Sequence, residues 1–286
     1  MTATIYKPDS VISPHPRVTR LLGQNPSPFT GAGTNTWLAG EKTPVLIDTG
    51  SGYASYTALL DESLSSRGEE RPSQCLLTHG HPDHSGGVAV LARRFPGLAF
   101  RKMPWVKVDE KIEIPFQPMA DGDRIEVEGG LTLRAVHTPG HSPDHLCFLW
   151  EEEHILFTGD LVLGAGTTFI PRETGNMGEY MASLEQVLRL NPRRIFPGHG
   201  PVIESPQPAV EQLLNHRRER EAQILACIAK STHTPPTVEN IATEVYKGYS
   251  PALGPLIMET VGAHVDKLLA EGRVFALPEG PPRYHI

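Results

Sequence analysis

No stretch of this 286-residue chain approaches the roughly 18 consecutive apolar residues that a membrane-spanning helix needs, so no membrane partner is expected. The first twenty residues, MTATIYKPDSVISPHPRVTR, have no apolar core behind a basic start and do not read as a signal peptide. Cysteine is scarce. Cys75, Cys147 and Cys227 are scattered, odd in number and set among apolar neighbours (QCLLT, LCFLW, LACIA), a pattern of buried reduced thiols and not of a disulfide framework. The expected location is the cytoplasm. A basic excess is missing too: 26 Lys and Arg face 33 Asp and Glu, a formal charge of −7. That balance disfavours non-specific nucleic-acid binding, which runs on phosphate neutralisation, while leaving a local basic groove open. Hydrophobic content of 39% and charged content of 21% suit an ordinary globular protein with a sizeable core.

Glycine and proline, 27 each, punctuate many short segments. TPVLIDTG (43–50) and SQCLLTHG (73–80) are β-type runs ending in glycine turns, and YASYTALLDESLSSRG between them has helical spacing, so a βαβ unit is expected. RIEVEGGLTLRAVHTPGH and DHLCFLWEEEHILFTGD read as two hairpins, turning at Gly129-Gly130 and around Glu151 to Glu153. A helix, MGEYMASLEQVLRL, then leads to the strand RRIFPGHG. Mixed strands flanked by helices imply a layered α/β domain over residues 1–206. Beyond the Pro-containing stretch 205–208 the texture changes to a long helix, a second begun at Thr237, a third (PLIMETVGAHVDKLLAEG) and two short β-like runs around a Pro/Gly turn. Residues 207–286 therefore suit a small winged-helix-like module.

Ligand-type side chains are concentrated in LLTHGHPDHSGG (76–87), which places His79, His81, Asp83 and His84 directly after an apolar run. Imidazole and carboxylate suit zinc and similar divalent ions, and a loop after a strand lets ligands two to five residues apart converge. His141, Asp160 and His199 close AVHTPGH, ILFTGD and IFPGHG, each beside a glycine. One tetrahedral zinc needs about four ligands, so this set argues for two metals sharing a carboxylate. The expected assignment is His79, His81 and His141 to the first ion, Asp83, His84 and His199 to the second, with Asp160 as the bridge. Zinc is the expected metal, iron and manganese being alternatives.

THGHPDH, HTPGH, FTGD and FPGHG, in that order, resemble the metallo-β-lactamase superfamily of binuclear hydrolases. GTNTW, IDTG, PGHGPVI and the tail with HRREREAQIL resemble its lactamase-β-like group, which includes a single-strand endoribonuclease and thioesterases acting on carrier-protein-bound acyl chains. The resemblance implies an αββα sandwich with the metals at one rim. It also implies a metal-bridging hydroxide as nucleophile, with Asp83 and Asp160 as the catalytic carboxylates and Asp48 orienting a ligand histidine. Without the resemblance, Asp48 reads as a turn cap at a strand end.

The expected substrate is an ester or thioester, small or carrier-bound, and single-stranded RNA is the alternative. Lactam hydrolysis and a non-catalytic binding role rank lower, since a scaffold has no need of a full ligand set. His137 and His145, four residues either side of His141, read as packing or supporting groups. His15, His154, His216, His233, His264 and His285 have no clustered partners and read as surface or packing residues. Interleaved Arg217, Arg218, Glu219, Arg220 and Glu221 read as a solvated helix face with salt bridges. NPSPFTGAGTNTW and LGAGTTFIP line the substrate entrance or are simple turns.

Overall fold

The computed structural model describes residues 9–110, 114–231, 234–250, 253–277 and 282–286. The start of the N-terminal stretch, His233 and the turn expected at 278–281 lie outside the described residues. The chain forms two compact units, one of residues 1–138, 144–166 and 191–206, the other of 139–143, 167–190 and 207–286.

In the first unit seven strands form one sheet in sequential order: β1 (Val11–His15), β2 (Val18–Leu22), β3 (Asn35–Ala39), β4 (Val45–Ile47), β5 (Cys75–Leu76), β6 (Phe100–Lys102) and β7 (Gln117–Pro118). Helix α1 (Ala54–Ser65) joins the parallel strands β4 and β5, which is the expected βαβ unit. A one-turn helix α2 (Pro82–Ser85) and α3 (Val88–Arg94) lead from β5 to β6, and α4 (Val106–Asp109) follows β6. The second sheet has the order β12-β11-β10-β9-β8, with β12 (Arg194–Pro197) at one edge. It contains the two expected hairpins, β8 (Arg124–Val127) with β9 (Leu131–His137) and β10 (Leu146–Trp150) with β11 (Ile155–Gly159). The Gly129-Gly130 turn has φ of 88° and 71°, which glycine adopts without strain.

Strand alternation sorts the side chains into two cores. Trp37, Ala39, Val45 and Ile47 from the first sheet meet Leu133, Ala135, Phe148, Trp150 and Phe157 from the second. Leu38 and Leu46, one residue out of phase, face α1 and α3 together with Leu60, Leu64, Val88 and Leu91. Trp37 stacks on Phe196 at 4.7 Å between ring centroids, tying β3 to the strand that carries the last histidine motif.

The second unit begins its helices with α5 (Met177–Leu190). Strand β12 (Arg194–Pro197) returns to the first unit's second sheet, pairing in parallel with β11. Then come α6 (Pro206–Lys230), α7 (Val238–Val245), α8 (Gly254–Ala270) and a two-stranded antiparallel pair, β13 (Phe275–Ala276) with β14 (Tyr284–His285). Pro206 and Pro208 sit in the first turn of α6, where a missing N–H costs nothing. Thr237 caps α7 through a reciprocal box with Asn240. Ile224, Ile228, Ile241, Val261, Val265 and Leu268 form this unit's own core.

The face expected to be solvated on α6 is a correction. Arg217 and Glu221 are buried, Arg217 donating to the Thr168 carbonyl and Glu221 accepting from Lys267 and Arg273 at 2.6 Å each. Glu221 is compensated by its two cations, and the Arg217 guanidinium also lies over the Tyr180 ring, 5.2 Å from its centroid. Cys75 and Cys147 are buried and Cys227 is half-buried; none is in a disulfide. Among the described residues no helix is long and apolar enough to cross a membrane.

Candidate metal centre

Two of the parallel strand pairs, β4 with β5 and β11 with β12, release their C-terminal ends into the loops that carry the ligand-type residues. At the end of β4 Asp48 takes φ of 61°, a left-handed conformation that aspartate tolerates better than most residues and that marks a constrained site. Its carboxylate accepts from the backbone N–H of Thr78 (2.8 Å) and from the Thr78 hydroxyl, and lies 2.7 Å from Nδ1 of His84. That contact fixes the imidazole: with Nδ1–H donated to Asp48, Nε2 is the nitrogen carrying the lone pair.

Nε2 of His84 lies 3.3 Å from Asp83 Oδ2, 3.1 Å from Asp160 Oδ1 and 3.3 Å from His199 Nε2. Nε2 of His199 lies 3.2 Å from each of the same two carboxylate oxygens. Metal–ligand bonds of about 2.0–2.2 Å place neighbouring donor atoms about 3–3.5 Å apart, so these separations match the edges of a coordination shell. His79 Nε2 faces His81 Nδ1 at 3.1 Å, and His79, His84 and Asp160 also bring ligand atoms within 4.8 Å of one another. Imidazole and carboxylate donors at such spacing fit a zinc-class dication.

The charges point the same way. Burial works against a charged His199, yet Asp160 and Asp83 lift its imidazole to about 9. His84 is raised as well, Asp83, Asp160 and Asp48 outweighing its burial. Burial likewise opposes ionisation of Asp83 and Asp160, but the neighbouring histidines hold both far below the usual carboxylate range. The cluster is thus built to attract positive charge, from protons or from a metal ion.

His141 follows β9 in the 139–143 segment of the second unit, where its Nδ1 lies 2.7 Å from the Phe169 carbonyl oxygen. With Nδ1–H donated to that carbonyl, Nε2 is the nitrogen that carries the lone pair. His145 supports the cluster without being one of the expected ligands: its Nε2 accepts the backbone N–H of Asp160 (3.1 Å), and its Nδ1 meets the Thr138 hydroxyl (2.9 Å). Gly159, at φ of 45°, lets the backbone pass there; a Cβ would stand 2.8 Å from Thr78 and 2.9 Å from His145 Nε2.

Three supporting residues were not singled out from the sequence. Thr78 joins Asp48 to the His79 ring, its hydroxyl lying 3.0 Å from Nδ1. Thr34 donates to Asp83 Oδ2 at 3.1 Å. Asn35 donates to the carbonyls of Pro197 and Gly200, clamping the loop that presents His199. Thr34 and Asn35 belong to the GTNTW stretch, which carried a family resemblance and a Gly/Thr-rich composition but no sign of what these two side chains touch.

Residues 29–199 match the metallo-beta-lactamase superfamily. The chain is 43% identical over 214 residues to the atrochrysone carboxyl ACP thioesterase of Aspergillus fumigatus, covering 74% of this chain and 65% of that protein. It thus spans just under two thirds of that thioesterase's length. It is 37% identical to the beta-lactamase-like protein 2 homolog of Drosophila melanogaster, over 94% of this chain and 93% of that one. Among solved structures, a beta-lactamase domain protein from Burkholderia ambifaria has the same fold, with a TM-score of 0.83 at 19% identity over 99% of this chain and 95% of that one. Architecture, ligand motifs and sequence agree that the chain belongs to the metallo-beta-lactamase superfamily.

Proposed function

We propose that the chain is a metal-dependent hydrolase acting on acyl thioesters, with two zinc-class ions held at the cluster. The observation that carries this reading is the set of 3.1–3.3 Å separations among the ligand atoms of Asp83, His84, Asp160 and His199. In the proposed assignment His79, His81 and His141 hold one ion and Asp83, His84 and His199 the other. Asp160 is the shared ligand, which is supported by its place in a ligand group with His79 as well as beside His199. Zinc is the proposed metal, with iron and manganese decided by metal analysis.

Such an ion pair, when bound, supplies Lewis acidity and a water acidified towards neutral pH. The chain's own residues do the holding. Asp48 fixes the His84 tautomer and keeps Nε2 aimed at the cluster. Thr34 steadies Asp83, and His145 anchors the backbone of Asp160. A thiol nucleophile is disfavoured, because burial pushes Cys147 up to about 12 and Cys75 well above its ordinary value.

The thioester substrate is supported by the activity for which the fungal relatives are named, thioesterase action on an acyl group held on a carrier protein. A cytoplasmic location, a hydrolase domain over 1–206 and a winged-helix-type module over 207–286 complete the proposal. The module carries eight Lys and Arg against nine Asp and Glu, a balance that does not favour RNA. The experiment is a panel of acyl thioesters, single-stranded RNA and a chromogenic lactam, run on wild type beside Asp160→Asn. Metal-dependent thioester cleavage lost in Asp160→Asn is the expected result. Cleavage of RNA or lactam alone would refute it.

A further inference from the structure

After β6 the chain crosses the metal loop as a short strap, MPWVKVDE (103–110), which includes α4. Val108 is seated on Gly80, the residue between two histidines of the cluster: a Cβ on Gly80 would stand 2.8 Å from Val108 Cγ1 and 3.2 Å from Asp144 Oδ2. The strap is pinned from beneath. Lys102, only 1% exposed, places Nζ 2.7 Å from Asp109 Oδ1 and 3.1 Å from Asp144 Oδ2. The other oxygen of Asp109 accepts the backbone N–H of Trp105 at 2.7 Å, which closes the strap on itself. An ammonium buried this deeply is tolerable because both carboxylates and the Met103 carbonyl meet it.

This pinning holds the half-buried Trp105 indole edge-on to His81, 6.3 Å between ring centroids. Val106 beside it is 65% exposed. The strap carries one lysine against two acids, so its charge does not invite a phosphodiester backbone. A rigid aromatic face beside a metal ligand does suit a planar or apolar acyl group.

We propose that Trp105 is a specificity-determining residue, forming the wall on which the acyl group of the substrate packs beside His81. The wall selects thioesters with an aromatic or extended apolar acyl group over short acyl groups. This rests on the thioester-hydrolase reading above, and its test separates the two.

Phenylacetyl and acetyl thioesters of N-acetylcysteamine are compared on metal-replete wild type, Trp105→Ala and Trp105→Phe. The readout is the phenylacetyl-to-acetyl ratio of kcat/KM. Trp105→Ala is expected to lower that ratio about tenfold, and Trp105→Phe to keep most of it. An unchanged ratio in Trp105→Ala, with both thioesters cleaved, overturns the proposal.

A second measurement does not depend on turnover. Trp37 and Trp150 are 2% and 0% exposed, so acrylamide quenching of tryptophan emission reports chiefly on Trp105. Phenylacetate is expected to shield wild type from acrylamide, and Trp105→Phe is expected to show little quenching to shield. Shielding in a protein that cleaves neither thioester would sink the hydrolase reading and leave the wall standing. Absence of shielding together with absence of cleavage would sink both.

Discussion

Asp48 Oδ2 lies 2.7 Å from Nδ1 of His84, and both side chains are almost wholly buried. A carboxylate so placed fixes the tautomer and raises the basicity of Nε2, the nitrogen that faces Asp83, Asp160 and His199. Asp48→Ala is therefore expected to weaken metal binding at the His84 set by about 10- to 100-fold, with a smaller loss at the His79 and His81 set, which Asp48 reaches only through Thr78. Titration against a chromophoric chelator reads this directly. Equal loss at both sets would mean that Asp48 supports the whole loop and not His84 in particular.

Asp160→Asn keeps the shape of the proposed shared ligand and removes its charge. The fold should survive, because the backbone N–H of residue 160 still reaches His145. At least one metal ion should remain, and thioester turnover should fall by about 100-fold or more, near 2.7 kcal/mol of transition-state stabilisation. Turnover close to wild type would show that Asp160 does not serve both ions.

Gly159→Ala is expected to be more damaging than its one methyl suggests. The added carbon would stand 2.8 Å from Thr78 at a φ of 45°. Either the strand end or the Thr78 contact with Asp48 must shift. A drop in melting temperature together with a loss of activity of at least about tenfold is expected, since a misplacement near 1 Å can cost about 100-fold in rate. Unaltered activity would show that this loop has slack the structure does not suggest.

His264 gives the second unit a pH dependence. The ring is fully buried, and burial, followed by the charges of Arg217, Lys267, Arg220 and His216, lowers it to about 3. Glu221 Oε2 lies 4.0 Å away, too far to hold its proton firmly. The folded protein keeps this imidazole neutral while the unfolded chain protonates it below about 6.5, so stability is lost as pH falls from 6.5 towards 3. The slope should reach up to about 1.4 kcal/mol per pH unit. Urea unfolding between pH 7 and 4 should show a flatter dependence in His264→Leu, and identical slopes would contradict the assignment.

Much of the fold was legible because periodicity and punctuation agreed. The Gly129-Gly130 hairpin, the βαβ unit around α1 and the capped start of α7 at Thr237 all follow from local chemistry. The strand order within each sheet, and the face each strand turns inward, depend on long-range pairing that no local pattern encodes. The His84, Asp83, Asp160 and His199 cluster was legible through residue type and spacing. Thr34, Asn35 and Thr78 were not, because a hydroxyl or amide at a strand end looks the same whether it meets water or a ligand. The burial of Arg217 and Glu221 was missed for a related reason. A charge pattern reports helix spacing and says nothing about what packs against the helix.

Metal content decides most directly whether this cluster holds the proposed two cations. Protein prepared without added metal, then loaded with zinc and freed of excess, is measured by inductively coupled plasma mass spectrometry against its amino-acid content. About two ions per chain are expected, falling to about one in His199→Ala. One ion or fewer in metal-replete wild type would contradict the two-ion assignment and the shared role given to Asp160.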